Sequence, residues 1–432
     1  MRMNQLFFKY VFQNVAGMIG ISIYILADTF FISVCSGANG ITILNLSLPI
    51  YGLIFAIGAM IGVGSATRYA IKKAQGEKDI EHYFTQAILW DMIFSIPFVL
   101  LGIFAPEWVL HLMGADAEIM VLGRSYVRIF MTATPLFMMN YAFTSFVRND
   151  NAPTIAMIGS ISGSLFNIVF DYIFMFPMGM ELTGAALATI CSPLVTSLVC
   201  CIHYVGSKNQ VGFQWKFPSV RHLLSCCGLG ISAFVGEMSS AITTIIFNLL
   251  ILGIAGNIGV AAYGVVANLS LITMAIFNGV SQGVQPLISE SYGYGNHNDV
   301  RKLLKTGILV CLFLEVVTVA VTWGFTDSLA GIFNSEGNPT LIFYAHDGLR
   351  LYFLGYLFAG INIFLVGYFS ATAKAMQAFT ASILRGALAI AVFAVLMSKI
   401  CGMNGIWLSF LISEIVTFFV ILIMLKKKPR GQ

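Results

Sequence analysis

Asp28 and Asp171 are carboxylates set inside apolar runs, and the polar groups spaced around them bear on ion chemistry. In SLFNIVFDYIFMF (Ser164 to Phe176), Asn167 precedes Asp171 by one helical turn, so both fall on one helix face. A carboxylate in hydrocarbon costs at least ~2.5–3.5 kcal/mol, and residues that accept that cost usually mark ion pathways. Counted from the outer ends of their runs, Asp28, Tyr126, Asp171 and Thr189 all lie roughly 9–12 Å below the boundary, at about 1.5 Å per residue. Matched depth makes an oxygen-rich cage. Two neighbouring carboxylates in low dielectric oppose each other's ionisation and can trade protons. Alternatively, Asp28, Asn167 and Asp171 hold a hard cation such as Na+, which prefers oxygen ligands.

Four more acidic residues lie within apolar runs: Asp91, Glu237, Glu315 and Glu414. Glu237, in FVGEMSS, and Glu414, in LISEIVT, sit near mid-depth and are candidates for a second ion or substrate site. Asp91 and Glu315 have no nameable partner and are expected to be structural.

The elements that must position these groups are membrane helices. Of the 432 residues, 58% are hydrophobic and 10% charged, with mean hydropathy +0.87, against about 25% charged in a soluble protein. Continuous apolar runs of ~20 residues match helices crossing a ~30 Å hydrocarbon layer and exclude the alternating pattern of a β-barrel. Twelve spans are expected, near 7–34, 41–67, 84–105, 118–146, 154–177, 183–205, 222–253, 259–289, 303–325, 347–372, 377–399 and 403–425. The first carries Asp28 and no small-residue cleavage site, so it reads as a retained span. Most of the 23 Lys and Arg fall in the tails and alternate loops, as in RYAIKK (Arg68 to Lys73), RKLLK (Arg301 to Lys305) and KKKPR (Lys426 to Arg430). By the positive-inside rule both termini are cytoplasmic. The formal net charge of +4 thus reports topology and not nucleic-acid binding.

The polar stretch GSKNQVGFQWKFPS (Gly206 to Ser219) divides the chain. The expected organisation is a six-helix lobe at 1–205, a cytoplasmic linker at 206–220, a second six-helix lobe at 221–425 and a basic cytoplasmic tail at 426–432. An offset of 219 pairs Gly37 with Gly256, Gly40 with Gly259, Gly64 with Gly283 and Gly76 with Gly295. An offset of 222 pairs Arg128 with Arg350, Asn140 with Asn362 and Ser160 with Ser382. Six spans per half keep both halves in the same orientation, the parallel-repeat arrangement of alternating-access transporters. GAMIG (Gly58 to Gly62) and GSISG (Gly159 to Gly163) permit close helix packing.

The eight cysteines have no Cys-x-x-Cys spacing and read as apolar filler. The six histidines show no metal-ligand spacing. The 36 Phe and 20 Met offer cation–π and thioether contacts to flat lipophilic cations, although most must face lipid or pack helices. There is no G-x-x-x-x-G-K-[ST] phosphate loop and no hydrolase motif. The chain is therefore not expected to be an enzyme or to need a cofactor, and a stored gradient of H+ or Na+ is the remaining energy source.

Over essentially its whole length the chain resembles the multidrug and toxic compound extrusion (MATE) transporters, and among them the bacterial branch related to DNA-damage-inducible efflux proteins. LADTFFIS (Leu26 to Ser33) is similar to the family's first span. GVAAYGVVANLSLITMAIFNGVSQGVQPLISESYG (Gly259 to Gly293) resembles its eighth span and following turn. LRGALAI (Leu384 to Ile390) and GIWLSFLISE (Gly405 to Glu414) resemble its last two. The resemblance implies two pseudo-symmetric six-helix lobes forming a V-shaped cavity. It implies a cation site at a first-span aspartate, a fifth-span Asn-x-x-x-Asp, a fourth-span tyrosine and a sixth-span threonine, which here are Asp28, Asn167 with Asp171, Tyr126 and Thr189. The family's seventh-span glutamate matches Glu237. Many members carry a first-span proline about fifteen residues before the aspartate, where a protonation-linked bend is proposed; here that position is Gln13. The tenth span offers Asn362 in place of an acid.

The expected function is secondary active efflux, exchanging H+ or Na+ for organic, cationic amphipathic compounds by alternating access. The protein is placed in the bacterial cytoplasmic (inner) membrane, acting as a monomer on small organic substrates. The competing reading is a lipid or lipid-linked oligosaccharide flippase of the same broad superfamily. A flippase would need basic groups for a pyrophosphate, whereas the spans hold six acids and Arg385 as the deeply placed base.

Overall fold

The computed structural model describes residues 3–207, 209–332 and 338–426, and among them the regular structure is entirely helical. The basic tail beyond Lys426 lies outside the described residues. Among the described residues eight helices are long and apolar enough to cross a membrane, or nine if the bent pair Pro339–Phe353 and Tyr356–Ala371 is one span. Two of the eight, Val220–Gly293 and Ala375–Lys426, hold two crossings each. They are 74 and 52 residues long, and each leaves helical geometry at a glycine: Gly256 (φ 62°, ψ −158°) and Gly402 (φ 57°, ψ −131°). In a straight helix Phe247 and Tyr263 would lie ~24 Å apart. Their rings stack at 5.3 Å, so the chain reverses at Gly256. The pair Ala117–Thr132 and Thr134–Asn149 completes twelve spans; its Arg124, Arg128 and Arg148 lower its hydropathy.

The glycine pairs read from the sequence occupy equivalent positions. Gly37 ends span 1 (Met3–Gly37) with φ 57° and ψ −146°, matching Gly256 at the end of span 7. Only glycine takes this positive φ without strain. Gly40 packs over Ser36 and Ile32, as Gly259 packs over Ala255 and Ile251. Gly76 and Gly295 turn the chain at φ 72° and 71°. Spans 4 and 10 break at matching places, Ala133 ahead of Pro135 and Leu354–Gly355, the second with a 48° bend.

The two halves cross-pack reciprocally. Span 2 (Asn39–Ala74) lies on span 7 at Gly64, where a Cβ would sit 2.3 Å from the Cys226 carbonyl oxygen. Span 8 lies on span 1 at Gly283, where a Cβ would sit 2.9 Å from the Tyr10 carbonyl oxygen. Polar contacts follow the same seam. Gln285 Nε2 donates to Thr67 Oγ1 at 2.7 Å, and Arg148 Nη1 donates to Gln282 Oε1 at 2.8 Å and to Asn14 Oδ1 at 3.2 Å. Among the described residues, the contacts joining the halves run from the end bearing Met3, Ala74, Val220 and Gly293 to mid-depth. Tyr141 Oη donates to Glu237 Oε1 at 3.1 Å, and one turn further along span 7 Ala241 packs against Gly52 of span 2.

At that same end the linker docks on the first half. Val211 is buried, Gln210 N donates to Asp150 Oδ2 at 2.8 Å, and Gln86 holds Phe217 and Ser219 through their backbones. Asp150 is itself paired with Lys73 at 2.7 Å and His203 at 2.8 Å.

Candidate cation-coupling site

Span 5 (Pro153–Met175) turns its polar stripe inward. Gly163, Ser164, Asn167 and Asp171 are buried, while Leu165, Phe166, Val169 and Tyr172 are exposed on the lipid side. The inward stripe repeats at the three- and four-residue spacing of one helix face. Gly159 and Gly163 let span 6 (Glu181–Val205) approach: a Cβ on Gly163 would lie 2.5 Å from the Ser192 carbonyl oxygen. Span 1 brings Asp28 to the same place, 8% exposed.

The Asp28 and Asp171 carboxyls lie close enough to act on each other electrostatically, and no hydrogen bond joins them in this arrangement. Two carboxyl groups can share a hydrogen bond only when one of them carries a proton. Asp28 Oδ1, both oxygens of Asp171 and both amide atoms of Asn167 are buried without a hydrogen-bond partner. Native proteins pair nearly all such groups, so five orphaned atoms gathered at one place call for an explanation. The orphaned acceptors are carboxylate and amide oxygens, with no sulfur or imidazole donor. Among the described residues no group of three or more His, Cys, Asp and Glu could hold a metal ion. An all-oxygen set of two carboxylates fits a proton or an alkali cation.

Tyr126 is brought into this cluster, fully buried and within electrostatic reach of Asp28 and Asp171. Its hydroxyl meets that of Tyr51 at 2.8 Å, and the Tyr51 ring packs on Phe130 at a tilt of 31° with centroids 3.5 Å apart. Thr189 is buried, and its hydroxyl donates to the Ala185 carbonyl of its own helix at 2.9 Å. A second span 6 hydroxyl, Ser192, is also buried and interacts with Tyr24. Tyr24 lies one turn before Asp28 and within electrostatic reach of Asp28, Asp171 and Glu237, so it links the carboxyl pair to the seam. Sequence reasoning missed Tyr24, Tyr51 and Ser192. The i, i+4 spacing of Tyr24 and Asp28 was the available signal.

Glu237 stands apart from the pair, bonded across the seam to Tyr141. Glu414 and Asn362 meet each other in the second half, where Asn362 Nδ2 donates to Glu414 Oε2 at 2.8 Å. Arg385 Nε lies 2.7 Å from Glu414 Oε1. Glu315 gains a named partner: its Oε1 accepts from the Ile361 amide at 2.7 Å, just past the break in span 10. Asp91 is fully buried and both its oxygens are unpartnered. Gln13 donates through Nε2 to Thr154 Oγ1 of span 5 at 2.8 Å, and span 1 runs unbroken past it to Gly37.

Comparison with known proteins places this geometry. The MatE family profile matches residues 15–173 and 233–396, most of both halves. The multidrug export protein MepA of Staphylococcus saprophyticus is 27% identical over 399 residues, covering 91% of this chain and 87% of the relative. An outward-facing multidrug resistance MATE family transporter of the MOP superfamily superposes with a TM-score of 0.90 at 21% identity. The match covers 98% of this chain and 97% of that one. A MOP superfamily transporter from Pyrococcus furiosus, described as having a binding pocket of reverse polarity, gives 0.88 at 21% identity over 99% of each chain. At these identities the structural matches establish the fold: an all-helical, polytopic membrane protein of MATE type. By the extent of the family match, the chain belongs to the MatE family of membrane transporters, which are not enzymes.

Proposed function

We propose that the protein exports organic, cationic amphipathic compounds in exchange for H+ or Na+ by alternating access. One observation carries the reading: Asp28 and Asp171 face each other in the first half with buried oxygens that no protein group satisfies. Export of several drugs is supported by the relatives, which are named multidrug export proteins. The quoted segments support placement in the DNA-damage-inducible-like branch. The division into lobes at 1–205 and 221–425, with the linker at 206–220, is supported by the docking of that linker on the first half.

With both termini cytoplasmic in a bacterial inner membrane, the sealed end of the seam faces the cytoplasm. The described arrangement then corresponds to an outward-open transporter acting as a monomer. A coupling ion entering from outside neutralises the Asp28–Asp171 pair and favours substrate release. Closure outside and opening at the seam release the ion inward and expose the cavity to new substrate. Tyr24, Tyr51 and Tyr126 hold the carboxyls in place, and Tyr24 carries the change in charge toward Glu237. Glu237 is the candidate second ion or substrate group; Asn362 and Glu414, which the sequence grouped with it, are engaged with each other and with Arg385.

The flippase reading draws less support. The deeply placed base that would attract a pyrophosphate, Arg385, is already paired with Glu414.

Exchange requires that substrate and ion compete. Adding tetraphenylphosphonium to purified protein in weakly buffered detergent solution should release protons, read by a pH dye. If Na+ is the coupling ion, it should release pre-bound 22Na+ instead. Asp28→Asn should release neither. Substrate binding with no release of either ion from the wild type would contradict the proposal.

A further inference from the structure

The two halves treat their buried acids differently. In the first half the carboxyl oxygens of Asp28 and Asp171 are orphaned. In the second, both oxygens of Glu414 have a protein partner: Oε1 forms an ion pair with Arg385 Nε at 2.7 Å, without hydrogen-bond geometry, and Oε2 accepts from Asn362 Nδ2 at 2.8 Å; Asn362 Oδ1 and Glu315 Oε2 stay unpartnered. Glu414 is 1% exposed and Asn362 fully buried, so the acid and the amide are interior groups, while the Arg385 side chain keeps 14% exposure.

The local backbone serves that pairing. Arg385 lies in a π-helical turn, Leu384–Leu388, within span 11. One extra residue per turn rotates the side chains that follow, and such bulges recur at functional positions. The turn is packed tightly against span 7, since a Cβ on Gly386 would fall 1.7 Å from Ser239 Oγ. Arg385 is held from the other side by Met274, whose sulfur lies 3.5 Å from Nη2.

We infer that Arg385 is a tethered counter-cation: it fills, with a protein group, a cation site that Glu414 and Asn362 would otherwise offer to H+ or a monovalent metal ion. A guanidinium cannot be deprotonated in a protein, so the positive charge beside Glu414 stays in place through the whole cycle. The other groups facing Glu414 are Glu315 on span 9 and Tyr352 and Tyr356 on span 10. None of them supplies a second positive charge. The proposal assigns the exchangeable ion to the first half alone and predicts a latent site in the second, unmasked by removing one side chain.

The test compares wild type, Arg385→Met and the double variant Arg385→Met/Glu414→Gln by infrared spectroscopy of the carboxylic-acid C=O stretch across pH. Arg385→Met should gain a titrating carboxylic-acid band that is absent from both wild type and the double variant. Removing one partner of a buried pair is strongly destabilising, and removing both restores a neutral interior. Thermal unfolding should therefore show a lower Tm in Arg385→Met, recovered in the double variant. If Arg385→Met yields too little folded protein, Arg385→Lys replaces it. Its shorter ammonium should leave the site filled, with no new band and with added 22Na+ binding no more than wild type. No extra band in folded Arg385→Met, or new 22Na+ binding in Arg385→Lys, would overturn the inference. The infrared readout needs no transport, so its failure is distinct from a failure of the exchange reading.

Discussion

Asp171→Asn should leave a folded protein that no longer uses an ion gradient. Gradient-driven efflux of a fluorescent lipophilic cation from proteoliposomes should fall at least about tenfold, to the rate seen without a gradient. A tenfold loss corresponds to about 1.4 kcal/mol, a small part of what an ion gradient supplies. The reason is specific to the geometry. Asn keeps the size of Asp but carries no charge for a proton or Na+ to neutralise, so Asp28 is left as a single carboxyl that can neither share a proton with a second one nor hold a cation between two. The substitution removes a buried carboxyl whose oxygens have no partner, which lowers the desolvation cost. Tm should thus hold or rise. Unimpaired gradient-driven efflux in both Asp171→Asn and Asp28→Asn would remove the coupling role from this pair.

Gly230→Ala should open the seam at the basic end. A Cβ there would lie 1.9 Å from the Met60 carbonyl oxygen, and backbone on both sides leaves no flexible side chain to move. Overpacking commonly costs about 1–3 kcal/mol, occasionally more. Here that cost falls only on the state in which spans 2 and 7 touch. A penalty of about 3 kcal/mol shifts the balance between the two access states on the order of a hundredfold. The readout is labelling of Cys226, 1% exposed and lying along the same contact, by an impermeant maleimide in a background without the other cysteines. Faster labelling from the basic side is expected in Gly230→Ala. Equal labelling in wild type and variant would show that the seam does not part there.

Much of the site was legible because membrane spans fix depth. Once run lengths set the boundaries, Asp28, Tyr126 and Asp171 had to lie at one level, and the i, i+4 rule put Asn167 beside Asp171. The internal repeat was legible through glycines, since Gly37 and Gly256 perform the same reversal with nearly the same backbone angles. Helix rotation was not legible. Apolar runs surrounded by lipid carry little amphipathic phase, so the sequence could not show that Ser192 comes close to Tyr24. Nor could it show that Arg385 points at Glu414, which depends on a π-helical turn. The partner of Glu315 was hidden for a different reason. It is a backbone amide near the break in span 10, and backbone donors leave no trace in residue identity.

The most direct measurement reverses the exchange. Proteoliposomes loaded with tetraphenylphosphonium, with no ion gradient and with membrane potential clamped by K+ and valinomycin, are diluted into substrate-free medium. Linkage requires each partner to drive the other. Substrate leaving down its gradient should pull H+ or Na+ inward against none of its own, and Asp171→Asn should abolish the ion movement. Substrate leaving the wild-type vesicles at a protein-dependent rate with neither ion moving inward would contradict coupled exchange.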